Sequence, residues 1–433
     1  MTVSENRGLD VSKVSECGIS WATPAVQKGR IYFGTLDTYF YCLDLDTGQK
    51  LWETKLDGMV ASSAVIENGV IYFGCFDSNL YALDQNNGAI LWKHKTDGII
   101  VSSPAIHNKI IYFGSCDQNL YALSLETREV LWKFRTGDEI VGGILIHKGR
   151  IYFGSMDNYF YCLSFKGNLL WRFRTGGSII TGRPDADEER VYFASCDQNI
   201  YAFTLEGDFL WGFRTGDNCF NKPLVHDGIL YCGSRDRYMY ALDAKNGRMI
   251  WNFLGNMVAI TRPSISLNRI YFTLDKLFCY DLKKNEVIWD LNAGECDINI
   301  ITATKLVDKK LIFFSRDTII RCVNIDDGSL IWRARPKSST PLSTSEVFSP
   351  PKWNTSLLNT LDEELTRITE KQNVEVKNFE PYTFTDLFDG IHSLEKENHP
   401  NNPYVLPDDG AIGAYRPDGE KKRYGGNAKK YGL

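Results

Sequence analysis

The sequence predicts an all-β protein, an eight-bladed β-propeller of four-stranded antiparallel blades, with a C-terminal extension that contains one amphipathic helix. Two series of residues carry this prediction. Tryptophan recurs every 38 to 43 residues, at Trp52, Trp92, Trp132, Trp171, Trp211, Trp251, Trp289 and Trp332. Aspartate recurs in phase with it, at Asp37, Asp77, Asp117, Asp157, Asp197, Asp236, Asp275 and Asp317. Two series in phase indicate eight copies of one structural unit.

Each unit divides into four short strands separated by turns. In the second unit "VASSAVI" is the first strand, and the apolar, aromatic segment from Val70 to Gly74 is a buried second strand. "LYALD" and "AILWKHK" follow as the third and fourth strands, separated by the glycine-containing turn "QNNG". Four short strands with no helical stretch between them are typical of a propeller blade, and eight copies fit an eight-bladed ring.

The third turn of the unit carries a resemblance to a known family. The segments "YALDQNNGAILW", "YALDAKNGRMIW" and "YCLDLDTGQKLW" resemble the pyrroloquinoline-quinone-type (PQQ-like) repeat, Ala-x-Asp-x-x-Thr-Gly-x-x-x-Trp. The resemblance covers residues 18–335 and implies that the eight tryptophans pack between neighbouring blades. Blades four and five are one residue shorter than this pattern, and blade seven lacks the turn glycine. The ring closes either with eight continuous blades or with an extra strand from "STSEVF" (343–348).

The pattern divides the chain into segments of different character. The propeller follows an N-terminal lead-in (1–17) and precedes a Pro/Ser linker (336–353) and an acidic extension (354–433). Apolar residues at helical spacing predict a helix over about 355–371, at Leu357, Leu358, Leu361, Leu365 and Ile368. Between residues 340 and 410, five Lys or Arg stand against thirteen Asp or Glu, so this part of the extension should dock either on its own propeller or on another subunit.

The same resemblance raises an enzyme alternative. Quinone dehydrogenases of this fold bind a quinone and a calcium ion in the central funnel, and many carry two adjacent cysteines there. This chain has no adjacent pair of cysteines, and its acidic residues mostly follow the repeat. We therefore expect no enzyme activity, no catalytic residues, no cofactor and no metal site. A ligand-sensing or quinone-dependent propeller that uses the central funnel is kept as an alternative.

The cysteines and aspartates are interpreted as structural. Cys42, Cys162, Cys279 and Cys322 occupy a position that is alanine in the other blades, which indicates a small buried site. The paired motifs "GSCDQNLYAL" and "ASCDQNIYAF", which contain Cys116 and Cys196, are predicted to be two copies of a turn. The aspartates suit the same turn, because a carboxylate can accept hydrogen bonds from nearby backbone amides.

One set of charged residues has two interpretations. Three residues after a tryptophan, six blades carry a cation, and we name this set the basic arc: Lys55, Lys95, Arg135, Arg174, Arg214 and Arg335. Cations at the exposed outer strand prevent edge-to-edge pairing of sheets. The alternative is that the basic arc docks an acidic protein partner.

The bulk properties favour a scaffold in the cytoplasm. The net charge is −5, no apolar run is long enough for a transmembrane helix, and the start of the chain lacks the apolar region of a secretory signal. Eleven cysteines then suggest reduced thiols. We expect a non-catalytic scaffold that mediates protein–protein interactions within a larger complex, without a membrane or DNA partner.

The basic terminus (420–433) raises an alternative, a nucleic-acid-associated subunit that contacts RNA. Its basic residues accompany two tyrosines: Lys421, Lys422, Arg423, Lys429 and Lys430, with Tyr424 and Tyr431.

Overall fold

The computed structural model describes residues 22–180, 182–219, 222–256, 261–274, 276–291, 304–315 and 319–337. Within these ranges the chain forms eight four-stranded antiparallel sheets, each built from four consecutive strands, which confirms the eight-bladed propeller. The predicted helix (355–371), the segment 343–348 and both charged parts of the extension lie outside the described residues, as do Asp275 and Asp317. Of the residues described, none belongs to a helix long and apolar enough to cross a membrane.

The strands follow the blades in chain order. They are β1 (Ala25–Gln27), β2 (Arg30–Gly34), β3 (Tyr39–Asp44) and β4 (Lys50–Lys55) in blade one; β5 (Val65–Glu67), β6 (Val70–Gly74), β7 (Asn79–Asp84) and β8 (Ile90–Lys95) in blade two; β9 (Ala105–His107), β10 (Ile110–Gly114), β11 (Asn119–Ser124) and β12 (Val130–Arg135) in blade three; β13 (Leu145–His147), β14 (Arg150–Gly154), β15 (Tyr159–Ser164) and β16 (Leu169–Arg174) in blade four; β17 (Asp185–Ala186), β18 (Arg190–Ala194), β19 (Asn199–Thr204) and β20 (Phe209–Arg214) in blade five; β21 (Leu224–His226), β22 (Ile229–Gly233), β23 (Tyr238–Asp243) and β24 (Met249–Leu254) in blade six; β25 (Ser264–Ser266), β26 (Arg269–Thr273), β27 (Leu277–Asp281) and β28 (Glu286–Leu291) in blade seven; and β29 (Lys305–Val307), β30 (Lys310–Phe314), β31 (Ile320–Asn324) and β32 (Leu330–Ala334) in blade eight.

Burial changes from the middle to the outside of each blade, as the composition of the strands requires. The second and third strands are largely buried, and in blade two they include the fully buried Phe73 and Leu80. In blades one to three the fourth strand consists of exposed and half-buried residues, because only one of its faces packs against a neighbouring blade. First strands contact one another between neighbours in blades one to four, between blades five and six and between blades seven and eight, which places them around the central axis.

The ring closes by packing between complete blades. Ile31 and Phe33 of blade one lie in the same hydrophobic cluster as Ile312 and Phe314 of blade eight. In addition, Trp332 Nε1 of blade eight donates a hydrogen bond to a main-chain oxygen of blade one, that of Leu45, at 2.9 Å. Blades one and eight each consist of four consecutive strands, and the segment 343–348 that would supply the extra strand of the second predicted closure lies outside the described residues.

The tryptophans lie between blades and hold the neighbouring turn. Trp171 Nε1 donates to the main-chain oxygen of Leu205 in the next blade at 3.0 Å. Its ring lies against the turn glycine of that blade, so closely that a Cβ at Gly207 would come within 2.6 Å of Trp171 Cγ. Gly207 also has a φ of +101°, a conformation that favours glycine. At this blade boundary the two residues fit each other, because the tryptophan fills the space that the glycine leaves.

Antiparallel strands give the propeller two faces with different loops. The connections between blades and the turns between second and third strands lie on one face, which we name the upper face. The turns between first and second strands and between third and fourth strands lie on the lower face. The basic arc ends the fourth strands at the rim of the upper face, and the first strands begin at its centre.

Candidate functional site

The repeated aspartates fasten each turn to the preceding connection. In blade four, Asp157 Oδ1 accepts from the Tyr159 amide at 3.0 Å, while Oδ2 accepts from the Gly137 amide at 2.7 Å and from the Tyr161 hydroxyl at 2.6 Å. Gly137 belongs to the connection that enters this blade, so one carboxylate joins a turn, a strand and a loop. Asp37, Asp77, Asp117, Asp197 and Asp236 also accept a hydrogen bond from the tyrosine four residues later. Their repetition therefore has a structural cause.

The cysteines of the third strand lie beneath the tryptophans. Cys42 pairs across the sheet with Trp52, and the corresponding cysteine or alanine pairs with the tryptophan in every other blade. In all eight blades this residue is small and fully buried. Burial raises the pKa of Cys42, Cys162 and Cys322 to about 12 and that of Cys279 to about 11, so these thiols are protonated at neutral pH.

The side chains of the two matching turns have structural roles. Burial raises the pKa of Cys116, and it raises that of Cys196 to about 12, so neither thiol is an activated nucleophile. The neighbouring amides have a positioning role, because Gln118 Oε1 accepts from Arg135 at 3.0 Å and Gln198 Oε1 accepts from Arg214 at 3.4 Å. The motifs thus orient two members of the basic arc.

The structure places the basic arc along the rim of the upper face. Five members are exposed, Lys55, Lys95, Arg135, Arg174 and Arg214, whereas Arg335 is half-buried. Lys55 donates to the Thr38 hydroxyl and lies 4.4 Å from the centre of the Tyr39 ring, and Lys95 donates to the main-chain oxygen of Asp77 at 2.6 Å. In the described part of the chain, none of the five exposed members forms an ion pair. Their positive charge is therefore available to a partner.

A second group of cations lies at the centre of the upper face. We name it the channel cluster: Arg183, Lys222, Arg262 and Lys305. The first three stand two residues before the first strands of blades five, six and seven, and Lys305 begins the first strand of blade eight. Arg262 Nη2 lies 2.8 Å from Asp185 Oδ2. This cluster was not predicted, although the repeat contains a signal for it: the same position holds the uncharged Thr23, Ser63, Ser103 and Gly143 in the first four blades.

The described residues contain no arrangement of three or more His, Cys, Asp or Glu that could hold a metal ion. All nine cysteines within the described ranges are free.

Comparisons with known proteins place the chain among propellers of one type. Residues 19–228 match the family model described as the beta-propeller of beta-alanine-activating enzyme. Residues 166–347 match the PQQ_2 model, described as outer membrane protein assembly factor BamB. No curated protein sequence matches the chain.

Two solved structures share the fold at low sequence identity. The computationally designed protein Ika8 is 16% identical with a TM-score of 0.62, and the match covers 70% of this chain and 95% of that one. BamB from Moraxella catarrhalis is 15% identical with a TM-score of 0.60, and the match covers 70% of this chain and 93% of that one. The repeat motif, the eight continuous blades and these matches together identify the chain as a PQQ-like repeat β-propeller.

Proposed function

We propose that this propeller is a non-catalytic scaffold that binds an acidic protein partner along the basic arc, as a subunit of a larger complex. One observation carries the proposal: five consecutive blades each present an exposed cation at the same point of the upper rim. Lys55, Lys95, Arg135 and Arg214 contact hydroxyl, carbonyl, amide and aromatic groups, which position a charge without neutralising it.

A row of uncompensated charges on a rigid frame suits recognition of an oppositely charged surface. Such charges speed the encounter of two proteins and fix their relative orientation. Protection of the outer edge is the competing explanation for the arc. Blade six, however, ends its outer strand with Leu254, which is 53% exposed, so this fold accepts an uncharged residue at that edge. This difference favours the docking interpretation.

The repeated aspartates and cysteines support a non-catalytic role, because both have structural roles in the blades. The carboxylates of the aspartate series accept hydrogen bonds from tyrosines and backbone amides, and burial raises the pKa of the cysteine thiols. The free cysteines are consistent with a reducing compartment, so we include a cytoplasmic location in the proposal.

Reversal of charge on the arc tests the proposal. A variant with Arg135→Glu, Arg174→Glu and Arg214→Glu should lose, by at least about tenfold, a complex that the unmodified chain captures from its native source. The matched control reverses three exposed lysines on lower-face turns, Lys28→Glu, Lys166→Glu and Lys245→Glu, and should retain the complex. Mass spectrometry identifies and quantifies the captured partner. Equal capture by the arc variant and the unmodified chain would rule out this docking surface.

A further inference from the structure

One repeat position shapes the inner wall of the ring at the upper face. It lies two residues before the first strand of each blade. In the first three blades it is small and polar and joins neighbouring blades, because the Thr23 amide donates to Ser63 Oγ at 2.9 Å and the Ser63 amide donates to Ser103 Oγ at 3.0 Å. A side chain at this position therefore lies against the preceding blade at the centre of the ring.

On the opposite side of the ring the same position carries long cations. Arg183, Lys222 and Arg262 replace the hydroxyl residues there. Their charges are close enough to act on one another, since Arg262 and Arg183 both lower the pKa of Lys222, and Arg262 lowers that of Lys305. The first cause in both cases is burial of the ammonium group.

The channel cluster carries more positive than negative charge. Asp185 is the carboxylate paired with it, through Arg262 Nη2 at 2.8 Å. Asp185 Oδ2 also accepts from the Val225 amide at 3.0 Å, so this carboxylate already holds two donors. Across the ranges described, four cations thus face one paired carboxylate, and three positive charges remain uncompensated.

The cluster lines a space that water reaches. Lys222 is half-buried and Arg183 is exposed, so solvent reaches both residues, while partial burial of the ammonium group still lowers the pKa of Lys222. Arg262 Nε is buried and has no hydrogen-bond partner among the described residues. Gly143 makes room for the cluster, because a Cβ there would lie 2.9 Å from Arg183 Cβ.

Three uncompensated charges in a partly desolvated space repel one another, and a bound anion would remove that cost. We propose that the channel cluster binds a small anion that carries at least two phosphate groups. Each phosphate group carries about −1.5 to −2 charges at neutral pH, so two groups match three positive charges. The guanidinium groups of Arg183 and Arg262 suit paired phosphate oxygens, and the ammonium groups of Lys222 and Lys305 act as point charges beside them.

Calorimetric titration of the full chain with pyrophosphate, in a low-salt buffer free of phosphate, tests this site. We expect one pyrophosphate per chain and, at about one hundred times the dissociation constant, a rise of about 4 °C in the melting temperature of the propeller. Lys222→Met should weaken binding by about tenfold or more, and Lys222→Arg should retain it. The control Lys245→Met removes an exposed lysine of the lower face and should bind like the unmodified chain.

Two results would overturn the proposal. Equal binding by the unmodified chain, Lys222→Met and Lys245→Met would show that pyrophosphate binds elsewhere or only through net charge. Citrate, which offers three carboxylates instead of phosphates, serves as the second probe. If citrate binds as tightly as pyrophosphate, the assignment to phosphate groups is wrong.

Discussion

Replacement of Lys222 by methionine should stabilise the empty ring, although most substitutions inside a protein destabilise it. Burial, together with the charges of Arg262 and Arg183, lowers the pKa of Lys222 from 10.5 to about 8. Asp185 lies nearby but is paired with Arg262. Methionine keeps the length of the side chain and removes the charge, so the repulsion and the desolvation cost both disappear.

The size of the effect follows from the two pKa values. A fall from 10.5 to about 8 makes the folded state less stable by about 3 kcal/mol when the lysine is protonated in both states. This cost is present in full below pH 8. Between pH 8 and pH 10.5 the folded protein releases the proton that the unfolded chain still holds, so the stability of the unmodified protein rises with pH in this window.

Chemical denaturation at pH 7 and at pH 10 measures both predictions. At pH 7 the free energy of unfolding of Lys222→Met should exceed that of the unmodified chain by up to about 3 kcal/mol, and the difference should shrink by pH 10. Lys245→Met, which changes an exposed lysine, should differ from the unmodified chain by less than about 0.5 kcal/mol at both pH values. A less stable Lys222→Met at pH 7, or a gain that does not depend on pH, would refute the reasoning.

Three further predictions concern the repeat and the extension. Tyr161→Phe removes one hydrogen-bond donor from the half-buried, charged Asp157 and should lower the free energy of unfolding by about 1–3 kcal/mol, whereas Tyr159→Phe, whose ring is half-buried, should change it by less than about 0.5 kcal/mol. Gly207→Ala should cost about 1–3 kcal/mol more than Gly149→Ala in the same denaturation assay, because both glycines have positive φ but only Gly207 lies against a tryptophan. A chain that ends at residue 339 should keep its melting temperature and lose its partner if the extension docks on another subunit; a lower melting temperature would instead assign the extension to its own propeller.

The fold was predictable because its chemistry repeats. The tryptophan stands beside a small residue on the third strand in every blade, and it lies against a turn glycine of the next blade in six of the eight, as Trp171 does with Cys162 and Gly207. Such coupled constraints leave a period in the sequence. Closure of the ring leaves no such signal, because Ile31 and Ile312 meet only when the two ends of the repeat array pack together.

The basic arc was visible in the sequence because it lies at a fixed distance from the tryptophans, but its exposure was not. Arg335 belongs to the same position and is half-buried, so sequence spacing alone overstates the arc by one member. The channel cluster was missed for a different reason. Arg183, Lys222 and Arg262 stand about 40 residues apart, and each one alone is typical of a loop. Their proximity follows only from the circular arrangement of first strands.

In a ring of repeats, departures from the common pattern are better guides to function than the pattern itself. Asp157 and its equivalents recur because every blade needs the same turn. The inner position, by contrast, is neutral in the first four blades and cationic in blades five to seven, although a hydroxyl would satisfy the fold there. Like charges in a partly desolvated space cost stability, so a fold under no other constraint would not retain them. The exposed arc occupies blades one to five and the channel cluster blades five to eight, so the two proposed sites lie on different parts of the upper face.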